Sequence, residues 1–218
     1  MGPSRIIATR HGESEGNAAY REAGDKPLIY DRQGEVTLTA LGRTQAQALG
    51  RLLAALPEDE APELAWCSPY RRAQDTWAVA SREWRTLPTT VDPRLRDREM
   101  GRLSRHNWAA VGERFPDELA RWRAEGDYFY RPPGGESFGD VAGRLTSFVE
   151  DLREQADGRR VLIVAHDAVV LVLRHVLDAL PDISDLEEFA PIHNASVSTW
   201  QASNDRLELL SFNDTAHL

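Results

Sequence analysis

Two histidines and a small set of arginines stand where side chains could act on a phosphate ester. His11 follows Arg10 at the end of the apolar run Ile6-Ile7-Ala8, and His166 follows the run RVLIVA, residues Arg160–Ala165. Arg71 and Arg72 come just after Ser68-Pro69. An arginine fork matches phosphate oxygens two at a time. A neutral imidazole is a competent nucleophile towards phosphorus, and a second imidazole could donate a hydrogen bond to the group in transfer. The leaving alkoxide still needs a proton, so a carboxylic acid is wanted near the bridging oxygen. His11 and His166 are 155 residues apart, so only a fold can bring them together.

The elements that would do this can be read from periodicity. Ser4–Thr9 is a first strand, Leu64–Cys67 a second and Thr89–Asp92 a third short candidate. Arg160–Ala165 is the strongest strand, and its unbroken apolar run predicts burial on both faces of a parallel sheet. Ser196–Gln201 and Leu207–Phe212 would close the sheet as a hairpin through Ser203-Asn204-Asp205. Helical spacing runs from Thr39, a candidate N-cap, to Ala55 through Leu41, Ala48, Leu49, Leu52 and Leu53, with Gln45 interrupting the apolar face. Ser68 is expected to cap a helix that has Pro69 in its first turn and runs to about Trp84. Further helices are expected over Pro116–Glu125, Phe138–Gln155 and Ala168–Leu180. Residues 13–36 show no clear period and read as a loop or short helix. This alternation predicts a three-layer α/β/α fold with a mostly parallel central sheet. One domain spans 1–218, with a helical insertion at about 94–133. In such sheets ligands lie beyond the C-terminal strand ends, which is where Arg10-His11, Ser68 and His166 fall.

Composition narrows the function classes. The chain has 26 Lys and Arg against 35 Asp and Glu, a net charge of −9, and a pI near 5.2. That argues against non-specific nucleic-acid binding, whose footprint is basic, but leaves room for a locally positive pocket. Cys67 is the single cysteine, so neither an internal disulfide nor a cysteine zinc site is expected, in keeping with a cytoplasmic setting. The N-terminal apolar run is too short for a secretory signal, and no stretch is long enough to span a membrane. The expected partner is a small phosphorylated substrate, with neither nucleic acid nor membrane. The oligomeric state stays open, a homodimer included. Neither metal nor cofactor is expected, because arginine and histidine supply the charge neutralisation.

The segment Ala8-Thr9-Arg10-His11-Gly12-Glu13-Ser14-Glu15-Gly16-Asn17 resembles the signature of the histidine phosphatase superfamily, in the branch that includes cofactor-dependent phosphoglycerate mutase. Four later segments resemble the family's in the same order: Leu38-Thr39-Ala40-Leu41-Gly42, Ser68-Pro69-Tyr70-Arg71-Arg72-Ala73-Gln74-Asp75-Thr76, Pro133-Gly134-Gly135-Glu136-Ser137 and Val164-Ala165-His166. The likeness covers residues 5 to about 175. It implies that His11 is the nucleophile that becomes phosphohistidine, that Arg10 and Arg72 bind phosphoryl oxygens, that His166 completes the pocket, and that Asn17 adds a polar contact. Arg72 is taken over Arg71 because it precedes the alanine of the "RAxxT" pattern. The proton donor, usually a Glu in "LxExxxG", aligns with Asp97 in Leu95-Arg96-Asp97-Arg98-Glu99-Met100-Gly101. Asp97 is one methylene shorter than a Glu, and Glu99 is the rival, two residues on and on the same side of an extended segment.

The resemblance implies a metal-independent phosphatase for small phosphomonoesters. A phosphoglycerate mutase is the alternative, but residues 31–39 lack a segment like the mutases' "TGWxDxxLS". A non-catalytic phosphate-binding protein on the same fold is a further alternative; it would have lost the nucleophile or an arginine, and both are intact. Several polar residues have plainer readings. His175 lies among Val and Leu and reads as structural, as do Trp108 and Trp122. Glu13 and Glu136 read as supporting groups near helix starts. Asp167 stands where the family often has a small residue and reads first as a cap for the next helix. Asn194-Ala195-Ser196 fits a glycosylation sequon by chance.

Overall fold

The computed structural model describes residues 2–30, 35–180, 182–183, 186, 191–204 and 206–218. Six strands form one sheet: β1 (Arg5–Arg10), β2 (Leu64–Cys67), β3 (Thr89–Val91), β4 (Arg160–Ala165), β5 (Val197–Ser203) and β6 (Arg206–Asp214). Their order is β3-β2-β4-β1-β5-β6; the first four are mutually parallel, β5 runs antiparallel to β1, and β6 antiparallel to β5. The closing strands are slightly longer than their apolar patterns suggest, and the turn residue Asp205 lies outside the described residues.

Side-chain alternation divides the core into two layers. Ile6, Ala8, Val161 and Ile163 pack with α6 (Phe138–Gln155) and α7 (Asp167–Leu177) on one face. Ile7, Ala65, Cys67, Leu162 and Val164 pack on the other face with α2 (Ala40–Ala55) and α3 (Arg71–Glu83). Strand β4 is buried on both faces because it lies between β1 and β2 with helices above and below. Leu41 departs from the expected apolar stripe: it is exposed, and α2 buries Gly42, Ala46, Ala48, Leu49, Gly50 and Leu53 instead.

Two helix starts differ from expectation. Ser68 does not cap α3 and Pro69 is not in it; the helix begins at Arg71 with Tyr70 as N-cap and no side-chain cap. The Ser68 hydroxyl is drawn to His166 instead, at 2.7 Å. Helix α7 starts at Asp167, with His166 as N-cap, and ends at Leu177 rather than Leu180. Asp167 is therefore a first-turn residue and not the cap. Within the stretch that lacked a period, α1 (Glu15–Ala23) is set by a capping box between Ser14 and Asn17.

Between β3 and α6 the chain leaves the sheet. Two short 3-10 turns, Pro93–Leu95 and Gly101–Leu103, lead into α4 (Trp108–Arg114) and α5 (Pro116–Glu125). This excursion has its own small core of Leu103, Val111 and Tyr130. Trp108 stacks on Trp122 beside it, with ring centroids 4.1 Å apart.

Candidate active site

Register decides the meeting of the two histidines. Arg10 pairs with Ala165 across β1 and β4, so His11 and His166 leave the sheet side by side. The His11 amide donates to the Ala165 carbonyl at 3.0 Å, and the Ser68 amide donates to the Val164 carbonyl at 3.0 Å. Three strand ends thus present His11, Ser68 and His166 along one edge. The imidazole centroids of His11 and His166 are 5.2 Å apart, edge to face.

Two glycines let the loop after His11 pass against α2. A Cβ on Gly12 would come within 2.4 Å of the Gly42 carbonyl oxygen, and a Cβ on Gly42 within 2.0 Å of the Glu13 carbonyl oxygen. Thr39 caps α2 by accepting from the Gly42 amide, and its hydroxyl donates to Glu13 Oε1 at 2.8 Å. Glu13 also pairs with Arg21. Gln45, the polar break in the α2 stripe, accepts from the Glu13 amide at 2.8 Å. These contacts hold the loop from behind.

The ring of His11 is oriented at both nitrogens. The Gly12 carbonyl, 2.7 Å from Nδ1, can only accept, so Nδ1 carries the proton. Nε2 then holds a lone pair and accepts from Arg72 Nε at 3.0 Å. Burial, followed by the charges of His166, Arg72 and Arg10, holds the His11 pKa well below the ordinary imidazole value. Burial and the guanidinium groups of Arg72, Arg10 and Arg144 do the same for His166. Both rings are neutral at pH 7.

Arg72 turns its Nη2 to Asp97 Oδ2 at 2.8 Å, and that oxygen lies 3.6 Å from His166 Nδ1. Arg10 donates from Nη1 to the Ile192 carbonyl at 2.5 Å and approaches Asp167 at 3.6 Å. Arg10 Nε and His166 Nδ1 are buried and have no hydrogen-bond partner among the described residues. Buried polar atoms are normally satisfied, so an acceptor is wanted at each of these two nitrogens.

The structure brings Asp97 to Arg72 and His166; Glu99 lines the same cleft with other partners. Glu99 Oε1 accepts from the Tyr70 hydroxyl at 2.9 Å, and Arg96 stands 3.6 Å away. Asn17 lines the cleft, but its carboxamide oxygen accepts from the Ser14 amide and hydroxyl and from Asn194 Nδ2. Arg71 pairs along its helix with Asp75 and is half exposed. Glu136 ties Arg96 and Arg144 together under the Asp97 segment. The whole opens into a cleft of about 630 Å³ whose outer wall includes Tyr20, Tyr30, Met100 and Arg105.

Three residues at the site escape sequence reasoning about roles. Ser68 holds His166. Tyr70 packs edge-on against the His166 ring at 5.2 Å, with the Arg72 guanidinium 4.9 Å over its own ring. Asn194 donates to the His11 carbonyl at 3.0 Å, which gives that sequon a structural use. Ser68 and Tyr70 sit inside a recognisable segment, yet no spacing rule tells a cap from a partner of a distant ring.

The sequence matches the histidine phosphatase superfamily (branch 1) over residues 6–215. The chain belongs to that superfamily. Among its relatives, a glucosyl-3-phosphoglycerate phosphatase from Mycolicibacterium vanbaalenii is 34% identical, over 81% of this chain and 75% of the relative. A 2,3-bisphosphoglycerate-dependent phosphoglycerate mutase from Gloeobacter violaceus is 30% identical, over 94% of this histidine phosphatase and 93% of the mutase. The structure of a mycobacterial glucosyl-3-phosphoglycerate phosphatase in complex with VO3 superposes with a TM-score of 0.78 at 28% identity, covering 97% of this chain and all of that one. Among the described residues no helix is long and apolar enough to cross a membrane, and no three His, Cys, Asp or Glu side chains cluster as metal ligands would.

Proposed function

We propose that this histidine phosphatase hydrolyses small phosphomonoesters through a phosphohistidine on His11. One observation carries the reading: His11 Nε2 is the unprotonated ring nitrogen, held by Arg72 Nε, and Arg10 and His166 beside it carry buried nitrogens with no hydrogen-bond partner among the described residues. A phosphoryl group placed there would take Arg10 Nε and His166 Nδ1 as donors and draw Arg72 off both His11 Nε2, freeing its lone pair, and Asp97. His11 Nε2 attacks phosphorus and the bond to the leaving oxygen breaks. Asp97, carrying a proton in the substrate complex, gives it to that oxygen. The resulting carboxylate takes a proton from water as the water attacks phosphorus, the P–N bond breaks, and inorganic phosphate leaves. The Asn17 Nδ2 is a further donor towards the substrate.

Mutase activity is the second reading, and the mutase relative that matches nearly full length keeps it in view. The missing mutase segment after the nucleophile loop favours hydrolysis. The guanidinium groups carry the charge neutralisation, so no metal has a step to perform. A cytoplasmic location with a small phosphorylated substrate and no macromolecular partner accords with the buried, unpaired Cys67 and the acidic surface charge.

The test is phosphate release from p-nitrophenyl phosphate with EDTA present, with acid-quenched enzyme examined for acid-labile, base-stable phosphate. Activity lost to chelator and restored by a divalent ion, or label on serine, would overturn the mechanism. Interconversion of phosphoglycerates faster than their hydrolysis would favour the mutase.

A further inference from the structure

We infer that Ser68 is a positioning residue that sets the tautomer of His166, holding the ring proton on Nδ1, where it points into the site. His166 is neutral and so has one ring proton to place. If that proton sat on Nε2, the Ser68 hydroxyl 2.7 Å away would have to accept it. The same oxygen already accepts from the Tyr70 backbone amide at 3.2 Å. The hydroxyl's own hydrogen would then have no acceptor among the described residues, in a position that is fully buried. A buried donor without a partner costs about 1–3 kcal/mol. Reversing the roles leaves no unpaired donor at Ser68: Tyr70 N–H donates to Ser68 Oγ and Ser68 O–H donates to His166 Nε2, while the ring proton on Nδ1, which has no hydrogen-bond partner among the described residues, faces Asp97 Oδ2 at 3.6 Å.

The other side of the ring favours the same answer. Nδ1 faces the Asp97 carboxylate at 3.6 Å, which attracts a proton-bearing nitrogen and repels a lone pair. The two histidines of the site thus share one tautomer but present opposite nitrogens to the site. His11 donates a hydrogen bond from Nδ1–H to a carbonyl and has its lone pair at Nε2, while His166 accepts a hydrogen bond at Nε2 and presents its proton at Nδ1. This rests on the proposed phosphoryl chemistry only for its purpose: a transferring phosphoryl group needs one imidazole that attacks and one that donates. It also explains why Ser68 fails as a helix cap, since its oxygen is taken by the tautomer relay.

The decisive measurement is made on ligand-free wild-type protein and does not depend on activity. Histidine labelled with ¹⁵N is examined by long-range ¹H–¹⁵N correlation, with the His166 signals assigned by their loss in His166→Gln. The expected result is a protonated, pyrrole-type Nδ1 and an unprotonated, pyridine-type Nε2 at pH 7.5. The opposite pattern overturns the inference, even if the Ser68 variants fail to fold. In Ser68→Ala the proton should redistribute towards Nε2, with kcat falling about tenfold or more and KM changing much less; Ser68→Thr, which keeps the hydroxyl, should restore both spectrum and kcat. An unchanged tautomer in Ser68→Ala overturns the assignment to Ser68. If wild type shows the expected tautomer but forms no phosphohistidine, the tautomer relay stands and the phosphatase mechanism falls.

Discussion

The strand-end pocket and the excursion between β3 and α6 are built by different physics. The pocket is a product of the sheet: His11, Ser68 and His166 are nearly or wholly buried and are fixed by backbone register and short hydrogen bonds. The excursion has only a small core, with stacked tryptophans and a web of arginine–carboxylate pairs around Glu136, Asp127 and Glu118. Yet Asp97 comes from the excursion and reaches into the pocket. The difference teaches that the proposed nucleophile and phosphate donors are part of the fold's core, whereas the proposed proton donor and part of the cleft wall, Met100 and Arg105, ride on a piece with a smaller core.

The comparison breaks most severely at its centre. His11→Ala should abolish phosphate release and leave no acid-labile label, while the melting temperature shifts by only a few degrees, because the ring sits beyond the strand and not between core layers. Wild-type-like turnover in this variant would remove the pocket from the chemistry.

Across the boundary, Asp97→Asn should slow alkyl phosphate hydrolysis by roughly 10²- to 10⁴-fold and p-nitrophenyl phosphate much less, since a good leaving group departs without a proton. Glu99→Gln should be mild on both, its carboxylate being engaged by Tyr70. A leaving-group-dependent loss in Glu99→Gln, absent in Asp97→Asn, would exchange the two roles.

Gly42→Ala tests the rigid half without touching a reacting group. The added carbon meets backbone at 2.0 Å, so the expected cost is about 3 kcal/mol with a displaced nucleophile loop, read by denaturant unfolding and kcat together.

Acid should weaken the pocket before the excursion. His11 and His166 have folded pKa values held below the unfolded value near 6.5, so the unfolded chain binds more protons as pH falls. Their contribution is intact above about pH 6.5 and is lost progressively below it, at up to about 1.4 kcal/mol per histidine per pH unit. Unfolding free energies at pH 7.5 and 5.5 should differ less in a His11→Gln/His166→Gln double variant than in wild type. An equal slope would show that these rings do not carry the dependence.

The smallest effect belongs to the excursion. Trp122→Ala, which unstacks Trp108, should cost about 1–2 kcal/mol and leave p-nitrophenyl phosphate turnover within about twofold. A large fall in that turnover would show that the excursion organises the phosphate pocket as well.

Much of the pocket was legible from one-dimensional pattern. A β-branched or apolar run ending in a histidine marks a strand end, and strand ends are where such a fold exposes side chains. The glycines after His11 and at position 42 were legible as motif letters, though their cause, a backbone crossing, was not. The helix over Ala40–Ala55 was readable because its apolar spacing persists for four turns; Leu41 misled because a first-turn residue can lie outside the packed face. The misreading of Ser68 has the same origin. A serine before a helix is usually its cap, and only the arrival of His166 from 98 residues away changes what its hydroxyl bonds. Residue types and local period therefore determined the strands, the helices, the two histidines and the arginines. The tertiary structure decided which carboxylate meets Arg72, which nitrogen of each ring carries a proton, and what Ser68, Tyr70 and Asn194 are for. Those outcomes depend on distances of 3 to 4 Å between groups far apart in the chain. A hydrogen bond or ion pair gained at such distances outweighs a local propensity worth a fraction of a kcal/mol.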